Sequence, residues 1–473
     1  MSKRGTGLVA ALLVAGACTS TPAATTTVAP PPGPSSTTPP TSTTEAAAAL
    51  TVPTVDVVAT YGGIGFDYAT GVEAVVEGAV VAIDFRSPGA DGGDLVVARY
   101  DEAGSLMWAS QWGGPREDSP QRNTLAVAED GSSVVATSHL DTDGPEWDLG
   151  LIKVDPDGEL AWQIAALGIP GAQRPHGVAF AGDDIVVAGH HGPPADGTDD
   201  GHSHEILVLR FASSGDLLWQ RSYVATGQFD TPYAMTVDND GNILLGGHAG
   251  VGNDDADVMA AKLDPEGNVL WAYTWGAAGP IERAWDVVTD DDGAVYLAGP
   301  VFGVGNGGDS IFAIRISPDG ELEWARIWQI PGNELWGTGI IVGPTGDLLL
   351  SGFIGSVAEA GIPASGYLVS VSPTGDLVWQ VAVGSVQKEG IEALALTESG
   401  RLLAAGQGGR EDQIVVELSG VFEPSDIELV GLPLEPRSVS LTFADPGYPF
   451  GPAAGDEGGG TGADAQLMWL TLP

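Results

Sequence analysis

Seven histidines occur in this 473-residue chain, and four of them crowd one polar insertion. It reads His190-His191-Gly-Pro-Pro-Ala-Asp196-Gly-Thr-Asp199-Asp200-Gly-His202-Ser-His204-Glu205. Imidazoles and carboxylates at this density suit Zn²⁺ or another divalent ion. His190, Asp199, Asp200, His202 and His204 are the candidate ligands, and calcium or another divalent cation is the candidate cofactor. The spacing matches no established ligand pattern, so a plain polar loop is the competing reading. Asp238-Asn239-Asp240-Gly241 and Asp290-Asp291-Asp292-Gly293 begin like calcium loops but lack the spaced downstream carboxylate.

A second set is scattered in sequence but regular in register. His176, Tyr233 and Trp285 stand at equivalent starts of apolar runs. Tyr68 and Trp336 lie two residues earlier in theirs, hence on the same side of a strand. His139, His190 and His248 recur at the ends of the runs that follow. On one face, these residues would set aromatic platforms beside imidazoles, an arrangement suited to a sugar, peptide or other amphipathic ligand. No catalytic residue is assigned. G-x-S-x-G and H-E-x-x-H are absent, and carboxylates are too plentiful for any acid–base pair to be singled out. Cys18 is the lone cysteine, which removes the adjacent-cysteine pair of quinoprotein alcohol dehydrogenases. The Asp–Gly–Trp spacing also departs from the sialidase Asp box.

The elements that must position these residues are announced by tryptophan. Trp108, Trp162, Trp219, Trp271, Trp324 and Trp379 each follow a glycine by four residues, at intervals of 52 to 57 residues. A period of this size is a repeat signature. In residues 257–299, four strand-length apolar runs are divided by Asp264-Pro265-Glu266-Gly267 and Asp290-Asp291-Asp292-Gly293, both turn sequences. No run has the length and spacing of a helix. Each repeat is therefore a four-stranded antiparallel unit, and the repeat tryptophans are expected to pack between neighbouring sheets. The run before the turn appears eight times, beginning near Asp94, Asp148, Glu205, Asp257, Asp309, Gly366, Asp412 and Asp464. The expected fold is all-β: a β-propeller of four-stranded blades, eight favoured and seven the alternative. The N-terminal strand is expected to complete the last blade and close the ring.

The stretch from Asp257 to Gly299 resembles the β-propeller repeat of secreted bacterial proteins (the SBBP repeat) through D-hydrophobic-K-L-D-x-x-G-x-x-x-W and a following D-G turn. The likeness covers most of residues 55–420. It implies a propeller in an extracellular setting and no fixed activity.

Residues 1–18 combine Lys3 and Arg4 with a short apolar run and end at Cys18, which resembles a lipoprotein signal with its lipidation cysteine. Residues 19–50, nearly all Thr, Pro, Ser and Ala, form a tether that can bury no core. Residues 51–473 form the propeller domain. Asp and Glu number 63 against 18 Lys and Arg, a net charge of −45, which disfavours nucleic acid as a partner. Membrane contact is expected only through the lipid anchor. The expected protein is a lipid-anchored propeller on the extracellular face, or a secreted one. It acts as a binding or scaffold module for a cell-envelope protein, peptide or glycan. The alternative is an extracellular enzyme, a hydrolase or quinoprotein-like oxidoreductase, with its site at the channel mouth.

Overall fold

The computed structural model describes most of residues 52–473. Residues 1–51 and the stretches 63–65, 87–92, 115, 141–146, 167–170, 193–203, 227–228, 251–255, 277–280, 303–308, 331–332, 356–364, 386–389, 409–412, 419–420, 425–429, 432–433, 438, 440 and 454–463 lie outside the described residues. Cys18 and the tether fall there, as do Asp199, Asp200 and His202.

Seven antiparallel sheets form a β-propeller. The first sheet runs Tyr68–Val75, Gly78–Phe85, Asp94–Asp101 and Leu106–Trp112 from inside to outside. The next five repeat this order. Their inner strands are Asp118–Val127, Gln173–Ala181, Phe229–Val237, the broken pair Ile281–Glu282 and Asp286–Thr289, and Leu335–Val342. The seventh contains Gly390–Leu396, Leu402–Gly408, Asp464–Thr471 and Thr54–Tyr61. Neighbouring inner strands lie against one another around the whole ring. The core sits between sheets. Trp328 and Ile311 of the fifth sheet pack with Leu335, Leu350 and Tyr367 of the sixth in one buried cluster.

The favoured count of eight blades is corrected to seven. After Leu402–Gly408 the chain turns back and circles the ring against chain order. Ile414–Glu417 adds a fifth strand to the sixth sheet, while Val421–Pro424 and Val430–Gly431 each add an outer strand to the fifth and fourth. Glu435–Arg437, Phe443–Ala444 and Phe450–Pro452 do the same for the third, second and first. The run near Asp412 therefore leads into the first strand of a belt. Taking the run near Asp412 for a blade strand raised the expected count to eight. The belt covers the outer edges of six sheets with strands of two to four residues, and strands that short offer little template for pairing with other chains.

The repeat tryptophans bridge blades. Trp108 Nε1 donates to the Pro156 carbonyl in the next sheet's turn at 3.1 Å, and Trp162 Nε1 donates to that of Ser213 at 3.0 Å. Trp324 does the same to Pro373 at 3.0 Å. The turn glycines beneath them, Gly158, Gly215 and Gly375, have φ of 88°, 88° and 81°, open to glycine at little cost.

Candidate ligand-binding site at the channel mouth

The channel mouth is shaped by one backbone device repeated around the ring. In the third sheet Pro175 pairs with Gly189 and Gly177 with Ala188, which leaves His176 as an extra residue in a β-bulge. The same step leaves Thr70, Tyr233, Thr338 and Glu392 as the extra residues in their sheets. Trp285 stands at the corresponding break in the fifth, before Asp286 pairs with Ala298. A bulge re-aims its extra side chain and pushes nearby backbone toward the facing strand. That explains a recurring glycine. A Cβ on Gly189, Gly247 or Gly299 would stand 2.1, 2.0 or 1.9 Å from the carbonyl oxygen of Arg174, Thr231 or Arg283. Gly352 and Gly406 meet Trp336 and Gly390 in the same way.

The second sheet carries a larger version. Its register passes from Pro120↔Thr137 to Leu125↔Val135, so residues 121–124 project into the channel. Asn123 adopts φ 59°, a conformation asparagine accepts better than most residues. Its Nδ2 donates to the Trp285 carbonyl at 2.8 Å, joining the second sheet to the fifth. The Arg122 guanidinium lies 4.7 Å from the centre of the Trp285 ring and pairs with Glu392 of the seventh sheet. Thr124 Oγ1 donates to the Gln121 carbonyl at 2.7 Å, holding the loop in shape. This projection is a plug. On one side lies a mouth cavity of about 220 Å³ lined by Tyr68, Arg122, His176, Tyr233, Arg283 and Trp285, among others. On the other, a channel cavity of about 340 Å³ is lined by residues of all seven inner strands.

Beside the mouth cavity runs a ladder of rings. His204 stacks on His190 at 4.2 Å between centroids and 7° between planes. His190 stacks on His176 at 4.9 Å, with Nδ1 of the first 2.9 Å from Nε2 of the second. Tyr233 meets His176 edge-on at 5.3 Å and lies 5.2 Å from His248. Burial pushes His176 and His248 down to about 3, with the charges of Arg174 and Arg283 respectively adding to it. Burial holds His190 well below its ordinary value too. These imidazoles are neutral at physiological pH and act as hydrogen-bonding groups, not cations. Burial raises the Tyr233 phenol, opposed in part by Arg283. In the channel beyond the plug, burial raises the carboxyls of Glu73 and Asp286 to about 7, with Asp286 adding to the shift of Glu73.

Tyr68, His176, Tyr233 and Trp285 thus line one cavity, with His190 and His248 stacked at its side. Trp336 meets Trp285 edge-on at 6.5 Å, is 41% exposed, and donates from Nε1 to Asp309 at 2.9 Å. His139 does not join them. Ser119↔Ser138 is the counterpart of Arg174↔His190 and Thr231↔His248, so His139 stands one residue off the shared register. A one-residue offset turns a side chain to the other face of the sheet. His139 packs there against Trp112 and Tyr448, at 6.4 and 5.5 Å.

For the divalent-ion reading, His190 and His204 are brought together, but their rings stack face to face instead of converging edge-on. Among the described residues, no group of three or more His, Cys, Asp or Glu converges as a metal site. Arg122, Asn123, Arg283 and Glu392 join the mouth without having been singled out from sequence. Arg122 and Asn123 lie on the ten-residue inner strand Asp118–Val127, longer than its counterparts, while Arg283 and Glu392 belong to other sheets.

No family model and no curated protein matches the chain. Among solved structures, it is similar to a protein of unknown function from Dyadobacter fermentans DSM 18053, at 12% identity and a TM-score of 0.40. That match covers 79% of this chain and 99% of the other. It is also similar to the β-propeller domain of the trilobed protease from Pyrococcus furiosus, at 7% identity and a TM-score of 0.39, covering 76% of this chain and 95% of the other.

Proposed function

We propose that this β-propeller is a binding module whose ligand, a glycan or peptide unit of the cell envelope, enters the mouth cavity. One observation carries the reading. Five of the seven sheets contribute residues to a single cavity, and the plug of residues 121–124 gives that cavity a floor. Aromatic faces and neutral imidazoles around a blind pocket favour binding over acid–base work. The test is tryptophan fluorescence of the full chain titrated with a panel of oligosaccharides and peptides. Trp285→Ala and Tyr233→Ala should each weaken a bound probe by about tenfold or more, as loss of a central aromatic anchor does, with the fold intact. Binding that survives both substitutions would remove the mouth from the reading.

The setting belongs to the same proposal. The signal-like residues 1–18, with Cys18 at their end, support lipid anchoring on the extracellular face, and residues 19–50 support a tether. Cys18→Ala should then release the protein into the medium. The resemblance to secreted bacterial propeller repeats supports that location. The antiparallel pairing of Thr54–Tyr61 with Asp464–Thr471 supports the further reading that the N-terminal strand is the seam of the ring.

A further inference from the structure

Basic residues are scarce in this chain, at 18 against 63 acidic ones. Yet the described lining of the mouth cavity includes Arg122 and Arg283 and no aspartate or glutamate. The charge of Arg122 is matched by Glu392. Arg283 lies 5.9 Å from the ring centres of both Tyr233 and Phe302, and its charge acts on Tyr233 and His248. Arg174, two residues before His176, stacks 4.6 Å over Trp147 and acts on His176 and His190. Glu117 is the carboxylate that acts on Arg174. The arc from His176 through Tyr233 to His248 is thus flanked by two arginines whose charge acts on its rings.

Resting on the mouth-site reading above, we propose that this cavity takes one carboxylate-bearing sugar unit of an acidic saccharide. Its carboxylate would sit on Arg283, and a ring face would lie against Trp285 or Tyr233. A planar guanidinium matches a carboxylate with two parallel hydrogen bonds. Aromatic faces pack against the apolar face of a sugar. Thr70, Gln121 and the neutral His176 supply both donors and acceptors for hydroxyls. At about 220 Å³ the cavity is smaller than the ~300–1,000 Å³ of pockets that enclose larger ligands, so it fits a single unit. The plug stops a polymer from threading the channel, which favours a terminal unit.

The experiment titrates the full chain with a glucuronate-terminated oligosaccharide and with a glucose-terminated one of equal length, read by tryptophan fluorescence. The acidic probe should bind at least about tenfold tighter, a difference ordinary for a charge-assisted pair. Arg283→Gln should remove that preference, weakening the acidic probe by about tenfold more than the neutral one. Arg283→Lys, which keeps the charge without the fork, should keep part of the preference, and it serves as the test if the glutamine variant does not fold. Equal wild-type affinity for the two probes would overturn the carboxylate assignment while leaving the mouth a saccharide site. A preference that persists in Arg283→Gln, or in Arg283→Lys at full strength, would overturn the role of Arg283. Binding of a peptide with a free C-terminal carboxylate, with neither saccharide bound, would overturn the sugar class. No binding of any probe would overturn both this proposal and the mouth-site reading.

Discussion

Asn123 of the second sheet donates a 2.8 Å hydrogen bond to the backbone carbonyl of Trp285 in the fifth, across the central channel. The bond ties a left-handed residue to the strand break that presents Trp285, so the plug and the wall of the mouth hold each other. Asn123→Ala loses the bond, worth about 1 kcal/mol, and adds roughly 1 kcal/mol of strain for a Cβ residue at positive φ. Asn123→Gly loses only the bond. Urea denaturation should rank wild type above the glycine variant and that above the alanine variant, with an unchanged m-value. Equal losses in the two variants would show that the φ of 59° stores no strain.

Gly247 faces the bulge that carries Tyr233, where a Cβ would stand 2.0 Å from the Thr231 carbonyl oxygen. The oxygen belongs to backbone and cannot swing aside. Gly247→Ala should flatten the bulge, withdraw Tyr233 from the mouth and cost about 1–3 kcal/mol, the usual range for overpacking. A crystal structure of the variant, or loss of the fluorescence response to a bound probe, would register the movement. Gly451, where an added Cβ would meet no atom within 4 Å and the backbone is not left-handed, is the control for crowding.

These two sites show which parts of the molecule were legible in sequence. Trp108, Trp271 and their counterparts follow turn residues whose chemistry is local, and they recur at a fixed spacing, so the four-stranded unit could be read directly. His176, Tyr233 and Trp285 were recognisable as one register because the bulge sits at the same point of each inner strand. The plug was harder. Residues 121–124 interrupt a stretch that otherwise reads as one long strand, and only the partner register reveals the extra residues. His139 lies a single position off the register of His190 and His248, and strand ends are not defined closely enough in sequence to tell one face from the other. The belt was opaque for a physical reason. Strands such as Val430–Gly431 and Phe443–Ala444 are too short to carry a period, and each takes its partner from a different part of the chain.

The belt can be tested where Gln220 grips it. Gln220 Oε1 accepts from the Leu441 N–H at 3.1 Å, and Nε2 donates to the Leu441 carbonyl at 3.4 Å. Gln220→Ala removes both bonds at an outer strand while leaving the inner strands untouched. The expected cost is about 1–2 kcal/mol, expressed mainly as local opening. Hydrogen exchange should quicken at residues 441–444 and in Leu217–Val224, with the inner strand Gln173–Ala181 unchanged. Uniform acceleration across the third sheet would mean that the belt is required for the sheet itself.

The ring ladder predicts a pH dependence that opposes that of the buried carboxyls. His176 and His248 are held near 3 in the folded protein, against about 6.5 in the unfolded chain. Between these values the unfolded chain binds protons that the folded one does not. Each such histidine therefore lowers stability as pH falls from 6.5, by up to about 1.4 kcal/mol per pH unit. Glu73, Asp118 and Asp286 are raised to about 7. They stay protonated in the folded protein while ionising in the unfolded one, so they lower stability as pH rises from about 4.5 to 7. Because the two sets cancel in part, the wild-type curve alone is uninformative and difference curves are needed. His176 is faced by Arg174, His190, His204 and Tyr233, none of which supplies a negative charge near neutral pH. His176→Gln should therefore gain stability relative to wild type as pH is lowered from 6.5 to 4. Asp286→Asn should gain relative to wild type as pH is raised from 4 to 7. Melting temperatures of both variants across pH 4–8 measure the two slopes. A flat difference curve for His176→Gln would mean that this imidazole is not held neutral in the fold.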